Sequence, residues 1–276
     1  MNPVNRRPVL RRWVGAALRR VAGTMTHVST RDAVVALTFD DGPDPASTPR
    51  LLDILEAHHA RATFFMVGVR AQRHPELVAR VAAGGHVIGN HSWDHPSFPL
   101  ISGRERREQI RACGLALAPY GHRLFRPPFG DQDLASWLDA RWMGYRVVAW
   151  NVPAWDWEDY DGPSIVNTVT TELKPGDVML FHDGLFQAPE NRFFDREPML
   201  SAVESLLDRL AGRFRFVTVP ELLRHGRAHW EHWTLESSLE FLNQLTQQQG
   251  PARRYPPAIA PAGRLGGANP REGAGG

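Results

Sequence analysis

The 276-residue chain is 42 % hydrophobic and 22 % charged, enough apolar content for one large core or two modest ones, which excludes wholesale disorder, collagen and coiled coil as the class. Its formal charge of +2 is unevenly placed: residues 1–24 carry six arginines and no acid, residues 251–276 carry four arginines against Glu272, and residues 25–250 are left at −7. A nucleic-acid binder needs positive charge on its folded body, and this body has the opposite sign, while the single cysteine, Cys113, excludes an intrachain disulfide and a thiolate metal cluster.

In chain order, residues 1–26 form a basic N-terminal segment in which Leu10, Trp13, Val14, Ala17, Leu18 and Val21 fall at helical spacing, with arginines on the remaining arc. This predicts a short amphipathic helix, either docked on the domain exterior or, through residues 8–22, in peripheral contact with an anionic membrane surface. The apolar stretch Trp13–Leu18 is too short, and too soon closed by arginines, for a convincing signal peptide, so the expected location is cytoplasmic. No apolar run approaches the roughly 18 residues of a membrane span.

The body, residues 27–225, alternates strand and helix. Val34–Phe39 is an apolar, β-branched strand ending at Asp40, and Leu51, Leu52, Ile54 and Leu55 mark the helix that follows. Strands are predicted at Ala62–Val67, His86–Ile88, Arg123–Phe125, Tyr145–Trp150, Val178–Phe181 and Phe214–Val219. Helices are predicted after Pro75, around Arg104–Ala118, around Leu134–Trp142, after Pro163 and over Pro198–Leu210. Such alternation implies parallel βαβ units in a barrel or a doubly wound sheet. Residues 226–250 are expected to be a helical extension, and residues 251–276, with five prolines and six glycines, a disordered tail.

The polar residues collect just past strand ends: Asp40 and Asp41 after the first, Asn90, His91 and His95 after the third, Arg126 after the fourth, Asn151 after the fifth, then His182 and Asp183. Barrel enzymes assemble active sites from these positions. Adjacent carboxylates repel, so Asp40 with Asp41 suits a site where a cation neutralises one and the other accepts a proton, although Asp-Gly-Pro alone is ordinary turn punctuation. His91 and His95, four apart, can converge on one divalent ion, and Asp41 with them gives three ligands and an open position. Alone, such a histidine pair is more often a solvated or core pair. His182 suits protonation of a leaving amine or, blandly, a strand end. The remaining histidines (His27, His58, His59, His74, His86, His122, His225, His229 and His232) read as surface or packing residues without partners.

The strings TFDDGP (Thr38–Pro43), HSWDH (His91–His95), RPPFG (Arg126–Gly130), WNVPAWDW (Trp150–Trp157) and LFHD (Leu180–Asp183) together resemble the ordered motifs of the polysaccharide deacetylase family, the NodB homology domain of carbohydrate esterase family 4, over about residues 30–225. The resemblance implies an α/β fold of the distorted (β/α)7-barrel type and hydrolytic removal of N-acetyl groups from sugars or polysaccharides, with release of acetate. By the same resemblance Asp41, His91 and His95 hold one divalent ion, zinc before cobalt or nickel. Asp40 is the general base, paired with Arg126. His182 is the general acid, oriented by Asp156. Leu180 lines the acetyl pocket, Trp157 walls the groove, and the backbone N–H of Phe129 stabilises the oxyanion. Phe129 stands where a tyrosine is usual, and Asn151, Pro153 and Ala154 depart from the common pattern, which bears on the substrate more than on the reaction. The loop after His182, with Phe186, Arg192, Phe193 and Phe194, is long enough to shape a rim of its own. The competing readings are hydrolysis of O-acetyl esters or another small amide, and a carbohydrate-binding protein without catalysis.

Overall fold

The computed structural model describes residues 23–158, 161–188 and 191–231. The predicted amphipathic helix, residues 232–250 of the expected extension and the 251–276 tail lie outside these.

The sheet is built outward from β2 (Val34–Asp40), in which every residue is buried. A strand buried on both faces reads as a continuous apolar run, which is why this element was legible. Its parallel partners are β3 (Thr63–Met66) on one side and β8 (Val178–His182) on the other. Beyond β3 come β4 (Val87–Asn90), β5 (Gly121–Phe125) and β6 (Arg146–Val147), beyond β8 comes β7 (Val152–Pro153), and β9 (Arg215–Val217) pairs with the first residues of β2. The result is a curled parallel half-barrel of the distorted (β/α)7 type.

Alternation along the strands separates two cores. Val35, Leu37 and Phe39 join Phe64, Met66, Met179 and Phe181 on the convex face. There they pack on α1 (Thr48–Ala57), α2 (Gly68–Arg73), α3 (Pro75–Ala83), α6 (Gly162–Glu172) and α7 (Glu197–Leu210). Val34, Ala36, Phe65 and Val178 face the concave side, with Met25, Val28 and Leu222. Two further helices, α4 (Gly103–Ala116) and α5 (Leu134–Trp142), complete the outer layer beside β4 to β6, each opened by a reciprocal cap, Ser102 with Glu105 and Asp133 with Ser136. No helix among the described residues is long and apolar enough to cross a membrane.

Four expectations are corrected. Thr24–Ser29 is a strand, β1, and Arg227–Glu231 is its antiparallel partner, β10, so the 26/27 boundary cuts a strand and the start of the expected helical extension is strand instead. The predicted strand Tyr145–Trp150 is strand only at β6, because Val148 and Ala149 turn aside to meet Met25 of β1. Phe214–Val219 ends early, where Val219–Leu222 starts a short helix, α8. Among the histidines read as unpartnered, the His27 and His229 rings stack with centroids 4.2 Å apart across the β1–β10 ribbon, and His225 Nδ1 pairs with Asp32 at 2.7 Å.

Candidate active site

Parallel register brings the candidate residues together before any side-chain contact is considered. Asp40 is level with His182, and Thr38 with Leu180, across β2 and β8. By the period of two these four share the concave face with Val178, at the C-terminal mouth. Asp41 would point the other way if the strand continued. It adopts φ +74° instead, the left-handed region, and its carboxylate turns back beside that of Asp40. Six described residues other than glycine have positive φ, and five of them, Asp41, Ser92, His95, Phe129 and Trp155, lie in the loops bearing the candidate motifs; His59 is the exception. Backbone strain of this kind persists where surrounding structure over-determines it, and it concentrates at functional sites.

The next residue must be glycine for a separate reason. A Cβ on Gly42 would sit 2.1 Å from Asp183 Oδ2. Asp183 is buried beneath that loop, accepts a hydrogen bond from Thr48 Oγ1 at 2.5 Å and has its carboxyl pushed up to about 7 by burial. It supports the turn from behind.

Asp41 Oδ1 lies 3.1 Å from His95 Nε2 and 3.4 Å from His91 Nε2, all three residues buried. The His91 Nδ1–H donates to the Arg126 carbonyl at 2.8 Å, which leaves the Nε2 lone pair aimed at the carboxylate. Asp41 Oδ1 has no hydrogen-bond donor, and the ligand atoms of the three residues lie within 4.8 Å of one another. A lone pair facing an anionic oxygen is repulsive until a cation lies between them. The donor set, two imidazoles and a carboxylate with further positions open, therefore fits a divalent ion of the zinc class. Burial works to raise the Asp41 pKa, yet the charge of His95 and the close imidazole of His91 hold it well below the carboxylate range. The second Asp41 oxygen accepts the Phe186 N–H at 2.8 Å.

The histidine loop is held from α4. Gln109, fully buried, accepts the N–H groups of Trp93 and Asp94 at 2.7 and 3.1 Å, Asn90 Oδ1 accepts the Ser92 N–H at 2.9 Å, and Ser92 Oγ accepts the His95 N–H at 3.1 Å.

Asp40 stands beside the cluster, its Oδ2 at 3.7 Å from His91 Nε2. Its other oxygen accepts from Arg126 Nη1 at 2.7 Å. Arg126 is fully buried, an expensive place for a guanidinium, and every side of it is occupied. It donates to Thr38 Oγ1 (2.9 Å), the Val148 carbonyl (3.3 Å) and the Ala149 carbonyl (2.9 Å), and it lies 4.1 Å from the centroid of the Phe65 ring. Those two carbonyls belong to the segment that leaves the sheet after β6.

Across the mouth, His182 Nδ1 donates to Asp156 Oδ1 at 3.0 Å while the His182 backbone N–H donates to Asp156 Oδ2 at 2.9 Å. Burial alone would lower the His182 pKa, but Asp156, aided by Asp41 and Asp40, raises it above its ordinary value. Burial opposes ionisation of Asp156 as well, and the charges of His182 and Arg196 hold its pKa down. Trp157 sets its ring edge-to-face on His182 at 5.0 Å, and Phe129 does the same on His95 at 4.4 Å. All ten candidate residues thus gather at one mouth. Sequence reasoning missed Thr38, Gln109 and Arg196. Thr38 stood in the TFDDGP string without a role being read for it, and Arg196 carried a weaker signal, since a basic residue at a helix start runs against the helix dipole. Cys113 is buried, its thiol pushed up to about 12 by burial, and is a packing residue.

The profile described as Polysaccharide deacetylase matches residues 27–148. A peptidoglycan-N-acetylglucosamine deacetylase of Bacillus cereus is 39 % identical over 205 residues, covering 72 % of this chain and 92 % of its own. This chain belongs to the polysaccharide deacetylase family. A chitooligosaccharide deacetylase of Sinorhizobium fredii is 36 % identical over 168 residues, 58 % of this chain and 77 % of the relative. The crystal structure of the Bc1960 peptidoglycan N-acetylglucosamine deacetylase, 30 % identical, superposes with a TM-score of 0.68 over 77 % of this chain and 98 % of that one. Membership in this deacetylase family implies a divalent metal, in keeping with the Asp41, His91 and His95 cluster.

Proposed function

We propose that this chain is a hydrolase that removes N-acetyl groups from N-acetylated sugars or polysaccharides, with a zinc-class ion held by Asp41, His91 and His95. The observation that carries the reading is the placement of two opposed proton-handling pairs, Asp40 with Arg126 and His182 with Asp156, on either side of that cluster. An ion held there would supply Lewis acidity to the acyl oxygen and favour ionisation of water.

The chain's own residues do the rest. Arg126 occupies one oxygen of Asp40 and leaves Oδ2 to take the proton from the water that attacks the acetyl carbon. Negative charge then develops on the acyl oxygen, where the backbone N–H of Phe129 donates to it. As the C–N bond breaks, His182 gives its Nε2 proton to the departing nitrogen, its Nδ1 being committed to Asp156. The products are acetate and a free amino sugar. Leu180, one pleat below His182 and level with Thr38, borders the acetyl methyl, and Trp157 walls the sugar side.

The test is acetate release by zinc-loaded protein from N-acetylated chitooligosaccharide and from peptidoglycan. Chelation is expected to abolish turnover, and His91→Ala to lower bound zinc along with rate, measured by metal analysis of the dialysed protein. Full activity in metal-free protein would overturn the metal assignment.

A second expectation concerns pH. A neighbouring carboxylate favours the imidazolium, so removing it lowers the His182 pKa. In Asp156→Asn the alkaline limb of kcat/KM should move toward acid, narrowing the profile from that side. The comparison is a pH profile of both proteins on one substrate at saturating zinc. An alkaline limb left in place would mean that His182 is not the acid or that Asp156 does not set it.

A further inference from the structure

Immediately before α7 the chain reaches back to the site through a buried side chain, Arg196. Its guanidinium makes four kinds of contact. Nη2 pairs with Asp156 Oδ2, and Nη1 donates to the Asp156 carbonyl at 2.9 Å. Nη2 and Nε donate to the His182 carbonyl at 3.1 and 3.3 Å, and Nη1 reaches the Phe193 carbonyl at 3.3 Å. Asp156 therefore has one oxygen for the His182 ring and the other shared between the His182 N–H and Arg196. With Oδ2 held on both sides the carboxylate cannot rotate, and Oδ1 stays opposite Nδ1. The His182 backbone is fixed at both its N–H and its carbonyl.

Charge gives the arrangement a second consequence. In the proposed reaction His182 gives up a proton and regains it in each cycle. If the imidazolium were the only counter-charge of a buried Asp156, losing that proton would leave an unpaired buried anion, which is strongly unfavourable. The acid would hold its proton too tightly. We propose that Arg196 is a positioning residue of the acid, the permanent counter-charge of Asp156 that locks its carboxylate against the His182 ring and leaves the His182 proton free to transfer. The proposal rests on His182 acting as the acid. The other charged groups facing His182 are Asp40 and Asp41 at the end of β2, and neither contacts Arg196. The arrangement mirrors Arg126 on Asp40, so that each catalytic carboxylate is clamped by its own buried guanidinium.

The test uses Arg196→Gln and Arg196→Lys in the full chain. Two quantities are read: kcat and KM against pH for acetate release from N-acetylated chitopentaose by zinc-loaded protein, and the His182 ring titration by NMR in substrate-free protein. The glutamine variant is expected to lose roughly 10- to 100-fold in kcat with KM within about threefold. Its alkaline limb and its ring titration should both move upward by about one pH unit, because a nearby cation has been removed. This is the direction opposite to Asp156→Asn. The lysine variant keeps the charge but not the fork, so it should retain the wild-type titration and recover part of kcat. Melting curves accompany both, and the lysine comparison stands alone should the glutamine chain fail to fold. A titration that stays put or moves toward acid in the glutamine variant overturns the proposal, as does a lysine variant whose titration is displaced. Because the ring titration needs no turnover, a wild-type chain releasing no acetate would count against the functional reading alone.

Discussion

Asp40→Asn is expected to keep its zinc and lose about two to four decades of kcat, the scale of a positioned general base. The amide preserves the shape and can still accept from Arg126 Nη1, so the site should remain assembled, but an amide nitrogen or oxygen at Oδ2 cannot take a proton from water. The neighbouring substitution Asp41→Asn should behave differently. It removes the anionic oxygen that faces both imidazoles at 3.1 and 3.4 Å, so metal leaves first and rate follows. Metal content by elemental analysis and kcat at saturating zinc, measured on both variants, separate the roles. Equal metal loss in the two would contradict the division of labour. So would a rate loss in Asp40→Asn that excess zinc restores.

Arg126→Met should be the most destabilising single change at the site. The guanidinium is fully buried and donates to Asp40, Thr38 and two backbone carbonyls. Deleting it strands a buried carboxylate and withdraws the donors of Val148 and Ala149, where the chain turns away from β6. Breaking a buried pair from one side costs about 3–5 kcal/mol, and for a body of this size that is a fall in Tm of roughly 6–20 °C. Removing the anion as well should return part of the loss, so Asp40→Asn/Arg126→Met is expected to be more stable than the sum of the single changes predicts. Thermal melts of the four proteins check this, and strict additivity would mean that the two side chains are not energetically coupled.

The parts of the structure that were legible in the sequence are those where one residue type serves one purpose over a contiguous stretch. Val34–Asp40 is buried on both faces and opens with the apolar run Val34–Leu37, and Leu134–Trp142 is bounded by its own cap. The ribbon of β1 and β10 was not legible, because Thr24–Ser29 and Arg227–Glu231 mix small, polar and aromatic residues with no sustained apolar face. Tyr145–Trp150 misled in the other direction. Its residues are apolar enough for a strand, but after β6 the segment serves Arg126 and Met25 instead of the ladder. At the site, the ten candidate residues sit in strings that span or directly follow strand ends, so motif and geometry coincide. Arg196 and Gln109 act at a distance in sequence, 40 residues from Asp156 and 15 from Asp94, and a lone arginine or glutamine carries no mark of the partner that folding will bring to it.

The β1–β10 ribbon also says something about where the chain could be cut and rejoined. Thr24 and Glu231, at the two edges of the described fold, are cross-strand neighbours, which puts their Cα atoms about 5 Å apart. A covalent link of a few residues could close the fold into a ring without disturbing the mouth at the ends of β2 and β8. New ends could then be opened at an exposed turn such as Tyr120–Gly121, between α4 and β5. The order in which the motifs are strung is in that sense a property of the gene; the chemistry needs only the neighbours that the half-barrel supplies.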